Sequence, residues 1–92
     1  MKKTNKLVEK VDELIKSKEE ELDVEKFSYV LETPSPKVIE LRIDGLLYDI
    51  FNGMEEYLHK FTEDFLQEFE ILLEGRAEWE FIEPSIIHIF VK

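Results

Sequence analysis

The sequence predicts an α+β domain. One antiparallel sheet of four or five strands packs against an N-terminal helix and a long second helix, in the order α-β-β-(β)-α-β-β. Three observations lead there. Residues 7–15 and 54–73 repeat apolar side chains with the 3.6-residue helical period. Residues 27–31, 39–43 and 79–81 alternate apolar and polar side chains with the strand period of two. The 92 residues, 43% of them hydrophobic, suffice for one compact core, so residues 1–92 are expected to form a single domain.

The elements follow in order. Leu7, Val8, Val11, Leu14 and Ile15 form one apolar helical stripe, with Thr4 or Asn5 placed to cap it. The polar face pairs opposite charges at i,i+4, such as Asp12 with Lys16 and Lys16 with Glu20. Phe27, Tyr29 and Leu31 then define the apolar face of a strand. Thr33-Pro34-Ser35-Pro36 predicts a loop, because proline cannot donate to a sheet ladder and restrains the residue before it. Ile39, Leu41 and Ile43, against Glu40 and Arg42, complete an antiparallel hairpin.

Residues 45–53 read two ways. Asp44-Gly45 between apolar runs is a two-residue hairpin signal, and that register places Ile43, Leu41 and Ile39 opposite Leu46, Tyr48 and Ile50. It also sets Glu40 against Asp49, a like-charge pair. A third strand over 46–51 is favoured, with a helix starting near Gly53 behind an Asn52 cap and Glu55. The alternative is one helix from about Leu46 to Glu74. Met54, Tyr57, Leu58, Phe61, Phe65, Phe69, Leu72 and Leu73 then hold the helical period, and Gly75 stops it. Trp79 and Phe81 mark the next strand, and Glu83-Pro84-Ser85-Ile86 suits a tight turn. The run IIHIFV, apolar on both sides, predicts a central strand covered on both faces.

The charge is unevenly placed. Of a net −10, residues 1–43 contribute almost nothing, with ten acids and nine bases. Residues 44–83 carry twelve acids against only Lys60 and Arg76. Such a one-sided field steers a basic partner and repels nucleic acid and anionic membrane. A pI near 4.6 therefore argues against direct nucleic-acid binding. The chain has no cysteine, which removes disulfide scaffolds and cysteine-based zinc or iron–sulfur sites. No apolar run approaches the roughly 18–20 residues of a membrane span. The charged N-terminal segment has no signal-peptide core, and a cytoplasmic protein is expected.

Catalysis needs a nucleophile with a base, a metal cage or paired carboxylates in a cleft. The sequence has no glycine-rich nucleophile elbow and no phosphate-cradling loop, so no enzyme and no cofactor are expected. Glu55, His59 and Glu63 fall at i, i+4, i+8, where neighbours on one helix face can approach a divalent ion. One helix supplies too few ligands for a closed site, so no metal is expected. His88, between Ile87 and Ile89, reads as a strand histidine bonded within the sheet. The acids Asp49, Glu55, Glu56, Glu63, Asp64, Glu68, Glu70, Glu74, Glu78, Glu80 and Glu83 surround the second helix and the strand after it. Carboxylates held on a rigid helix imitate the regular charge of a nucleic-acid backbone; they also simply keep a surface soluble. The expected partner-binding set is Glu55, Glu56, Glu63, Asp64, Glu68, Glu70 and Glu74, with Trp79 as an aromatic anchor if its face is open.

No motif ties the chain to a family. In size, charge and lack of catalytic motif it resembles the small acidic proteins with which phages and mobile elements inhibit host machinery. These include nucleic-acid mimics and anti-restriction or anti-CRISPR proteins. The leading expectation is a non-enzymatic protein whose acidic face occupies a basic, nucleic-acid-binding surface of another protein. The alternative is a structural homodimer or assembly subunit built on the apolar strand faces and Trp79.

Overall fold

The computed structural model describes residues 2–23 and 26–92. Helix α1 (Lys2–Leu22) leads into strands β1 (Ser28–Ser35) and β2 (Val38–Asp44), the short helix α2 (Gly45–Phe51), a 3₁₀ turn (Glu56–Leu58), helix α3 (His59–Leu73), and strands β3 (Ala77–Glu83) and β4 (Ile86–Val91). The α+β order expected from periodicity is the observed one. The sheet has four strands in the order β1-β2-β4-β3, all neighbours antiparallel.

Alternation along the strands decides which side the helices cover. Ile39, Leu41 and Ile43 of β2 and Ile87, Ile89 and Val91 of β4 are buried. They meet Leu7, Val11 and Ile15 of α1, Leu47, Ile50 and Phe51 of α2, and Phe65, Phe69 and Leu73 of α3 in one core. The alternate residues Val30, Glu40, Arg42, Ile82, His88 and Phe90 are exposed or half-buried on the opposite face. β4 is a central strand, as its composition predicts. It is covered on one face only, because every helix lies on the same side of the sheet.

Local chemistry corrects several boundaries. Helix α1 begins at Lys2 rather than behind a Thr4 or Asn5 cap. Thr4 is buried, and its hydroxyl donates to the Pro36 carbonyl at 2.6 Å, tying the helix to the β1–β2 turn. β1 continues through Pro34 to Ser35, where a loop was expected, with a register shift between Glu32 and Ser35. Proline is tolerated there because β1 is an edge strand. Asp12 pairs with Lys16 at 3.1 Å as the spacing predicts.

Residues 46–51 are helix, not a third hairpin strand. Leu47, Ile50 and Phe51 are buried at helical spacing, and the Asp44 carboxylate accepts from the Gly45 N–H at 2.8 Å at the helix start. The like-charge contact of Glu40 with Asp49 is thereby avoided. Asn52 does not open the following helix but closes α2, and its amide donates to the Tyr48 and Pro84 carbonyls. The single-helix alternative from Leu46 to Glu74 is broken at residues 52–55, and helical structure resumes at Glu56. Met54 and Tyr57, expected in the apolar stripe, are 64% and 79% exposed. Gly75, in the left-handed region at φ 73°, ends α3 as expected, and the Arg76 N–H bonds the Leu73 carbonyl.

Candidate partner-binding surface

Helix α3 carries its buried face through Thr62, Phe65, Phe69 and Leu73. The helical period then sends Glu63, Asp64, Glu70 and Glu74 outward, and all four are exposed. Glu56 is exposed in the 3₁₀ turn, and Glu55 is half-buried before it. Among the described residues none of Glu55, Glu56, Glu63, Asp64, Glu70 and Glu74 has an ion-pair partner. Glu70 and Glu74 rim a groove between α3 and β3, floored by Leu73, Ala77 and Trp79. Glu78 and Glu80 alternate with Ala77, Trp79 and Phe81 toward the opposite face of the sheet; Glu78 also borders the groove at the strand edge and pairs with Lys92 at 3.6 Å. Carboxylates therefore flank the β3 edge on both of its faces.

Glu68 stands apart from this row. It lies on the shoulder of α3 facing α1, where it bridges the Lys18 ammonium. Lys18 also pairs with Glu21 at 2.8 Å and lies over the Phe61 ring, 5.8 Å from its centroid. Burial alone lowers the Lys18 pKa. The hydrogen bonds and charges of Glu21 and Glu68 outweigh that and hold it above the ordinary lysine value. The charge of Glu68 is thus partly spent inside the fold.

Trp79 is half-buried. Its ring packs edge-on against Phe69 at 5.2 Å, Phe81 at 5.4 Å and Phe51 at 6.3 Å. One side belongs to the aromatic core and the other floors the groove, so packing and surface roles coincide in this residue.

Four cationic residues gather elsewhere: Lys6, Lys10, Arg76 and Lys92 line a separate cleft over Leu7 and Val91. Their position by that cleft, away from the outer row of α3, leaves Lys60 as the only base in the sequence of that helix. Lys92 reaches from that cleft to Glu78 of β3 at 3.6 Å, so the negative field of the shoulder is countered at Glu78 and strongest along the outer face of α3.

Sequence reasoning missed a polar cluster on the open sheet face. Strand register aligns Glu32, Glu40, His88 and Glu80 in one row across all four strands. The His88 Nε2 lies 2.9 Å from Glu40, which Arg42 also contacts at 2.9 Å. Hydrogen bonds from His88 and then Arg42 hold the Glu40 carboxyl below its ordinary pKa. No sequence spacing signals this pair, since 48 positions separate its members. Glu55 precedes the helical turns, so Glu55, His59 and Glu63 do not stack on one face. Among the described residues no group of three or more His, Asp or Glu is placed to hold a metal ion. No described helix is long and apolar enough to cross a membrane.

Compared with protein families, with curated proteins and with solved structures, the chain matches none.

Proposed function

We propose that the protein is a non-enzymatic, acidic interaction protein that binds a basic surface of a partner protein through the α3–β3 shoulder. The observation that supports this most is the exposed set Glu63, Asp64, Glu70 and Glu74, none of which has an ion-pair partner among the described residues. Carboxylates concentrated in this way raise the on-rate and select for a basic partner. The partner class is a nucleic-acid-binding protein, whose phosphate-binding surface the row occupies in place of a backbone. Inhibition of host machinery in the manner of phage or mobile-element proteins, in the cytoplasm, is the biological setting of this reading.

The test is capture of proteins from a host lysate on the immobilised chain. Captured proteins are expected to elute with salt and to be displaced by duplex DNA. The triple charge reversal Glu63→Lys, Asp64→Lys, Glu70→Lys is expected to abolish capture. Capture indifferent to salt, DNA and the triple variant rejects the proposal. A second reading, a homodimer, draws on the open sheet face, where Val30 is 49%, Ile82 47% and Phe90 38% exposed. Light scattering decides it: a strict monomer across micromolar concentrations removes that alternative.

A further inference from the structure

We propose that the occupant of the α3–β3 shoulder is an extended segment of the partner that joins the sheet as a fifth strand beside β3, with basic residues alternating with apolar ones. The proposal rests on the reading of this shoulder as a partner-binding surface, and specifies the partner's conformation and pattern.

The backbone shows what the β3 edge offers. β3 pairs with β4 and, among the described residues, with no other strand. The Lys92 N–H donates to the Arg76 carbonyl at 2.8 Å, which sets the alternation of the ladder. Glu78 and Glu80 therefore bond across to Phe90 and His88, and Ala77, Trp79 and Phe81 turn their N–H and C=O groups toward the free edge. The β1 edge is a poorer template. The same alternation leaves only Tyr29 and Leu31 facing outward before the register shift and Pro34.

The side chains say which strand fits. A residue paired with Ala77, Trp79 or Phe81 points to the helix side, over the groove beneath Glu70 and Glu74. Apolar surface waits there: Ile71 is 60% and Phe81 41% exposed. A residue paired with Glu78 or Glu80 points to the open face and meets a carboxylate, that of Glu80 without an ion pair among the described residues and that of Glu78 shared with Lys92 at 3.6 Å. The fitting strand thus alternates apolar residues with lysine or arginine. A second copy of β3 does not fit, because antiparallel self-pairing sets glutamates against glutamates.

The test uses a nine-residue peptide alternating lysine with valine, its binding followed by fluorescence anisotropy. Two backbone-methylated forms carry the same charge. N-methylation of the valines removes the donors aimed at β3. N-methylation of the lysines blocks donors that face solvent. Losing two or more main-chain bonds is expected to weaken binding roughly tenfold or more, and the lysine-methylated peptide is expected to bind as the parent does. The double variant Glu78→Gln, Glu80→Gln is expected to weaken the parent peptide severalfold while leaving the circular dichroism spectrum unchanged. Amide exchange at Trp79 and Phe81 is expected to slow on binding, with Tyr29 and Leu31 unaffected. Equal binding of all three peptides overturns the strand proposal while sparing the acidic-surface reading. So does protection at Tyr29 and Leu31 instead of β3, or failure of every peptide to bind while salt-sensitive capture persists. Loss of salt-sensitive capture itself is the distinct failure of the acidic-surface reading.

Discussion

Replacing Lys18 separates what its charge does from what its stem does. The side chain is 6% exposed, and its ammonium is shared by Glu21 and Glu68, themselves 57% and 50% exposed. Lys18→Ala removes three buried methylenes at about 0.8 kcal/mol each, so the expected loss is roughly 2 kcal/mol. Lys18→Met keeps most of that apolar volume. It gives up two ion pairs whose carboxylates are half in water, each worth about 0–1 kcal/mol. It also removes the cost of burying the ammonium, so its net effect is expected to stay within about 1 kcal/mol of zero. Glu68→Gln leaves Glu21 as partner and is expected to cost less than about 1 kcal/mol. Urea unfolding followed by Trp79 fluorescence measures all three. For a domain of this size, each kcal/mol moves Tm by about 4–8 °C, which provides a second measure. If Lys18→Met is as damaging as Lys18→Ala, the pairing and not the stem secures the α1–α3 contact, and the reasoning fails. The same geometry makes Glu68 a poor place to test partner binding, because its reversal perturbs the fold as well as the surface.

Other expectations follow from the core and the titrating groups. Phe69 is fully buried against Phe51 and Trp79, so Phe69→Ala is expected to cost about 3–5 kcal/mol out of a total of roughly 5–14 kcal/mol, and a measured loss under about 1 kcal/mol contradicts this packing. Acid is expected to destabilise the fold: the Tyr29 hydroxyl, 2.5 Å from Asp12, outweighs desolvation and holds that carboxyl below its ordinary value. A depressed folded-state pKa contributes stability above the ordinary aspartate value near 4, and that stability is lost as pH falls through the depressed one. Burial, then the Asp12 hydrogen bond, raises the Tyr29 pKa well above the ordinary tyrosine value, so stability is also expected to fall as pH rises past about 10. Tyr29→Phe is expected to cost about 1 kcal/mol at pH 7 and to flatten both limbs of a stability–pH profile, and unchanged limbs would refute the assignment.

Much of this was legible in the residues. The stripes at Leu7–Ile15 and Phe61–Leu73 are local, since a helix brings i, i+3 and i+4 together whatever surrounds it. The alternation at Ile39–Ile43 is legible in the same way. Residues 45–51 were not, because Asp-Gly serves equally as a hairpin turn and as the entry to a helix. Burial of Leu47, Ile50 and Phe51 in the shared core selected the helix. The exposed acids of α3 were legible as a face, but the diversion of Glu68 to Lys18 required knowing that α1 packs beside it.

The sequence alone therefore determined the order of elements outside residues 45–51 and the confinement of negative charge to residues 44–83, because both depend on neighbours along the chain. The tertiary structure decided which strand became a free edge, which sheet face stayed open, and that Glu40 meets His88. Those outcomes depend on strand pairing between distant segments. Pairing is selected by how the whole apolar surface can be buried at once, a condition no local period encodes.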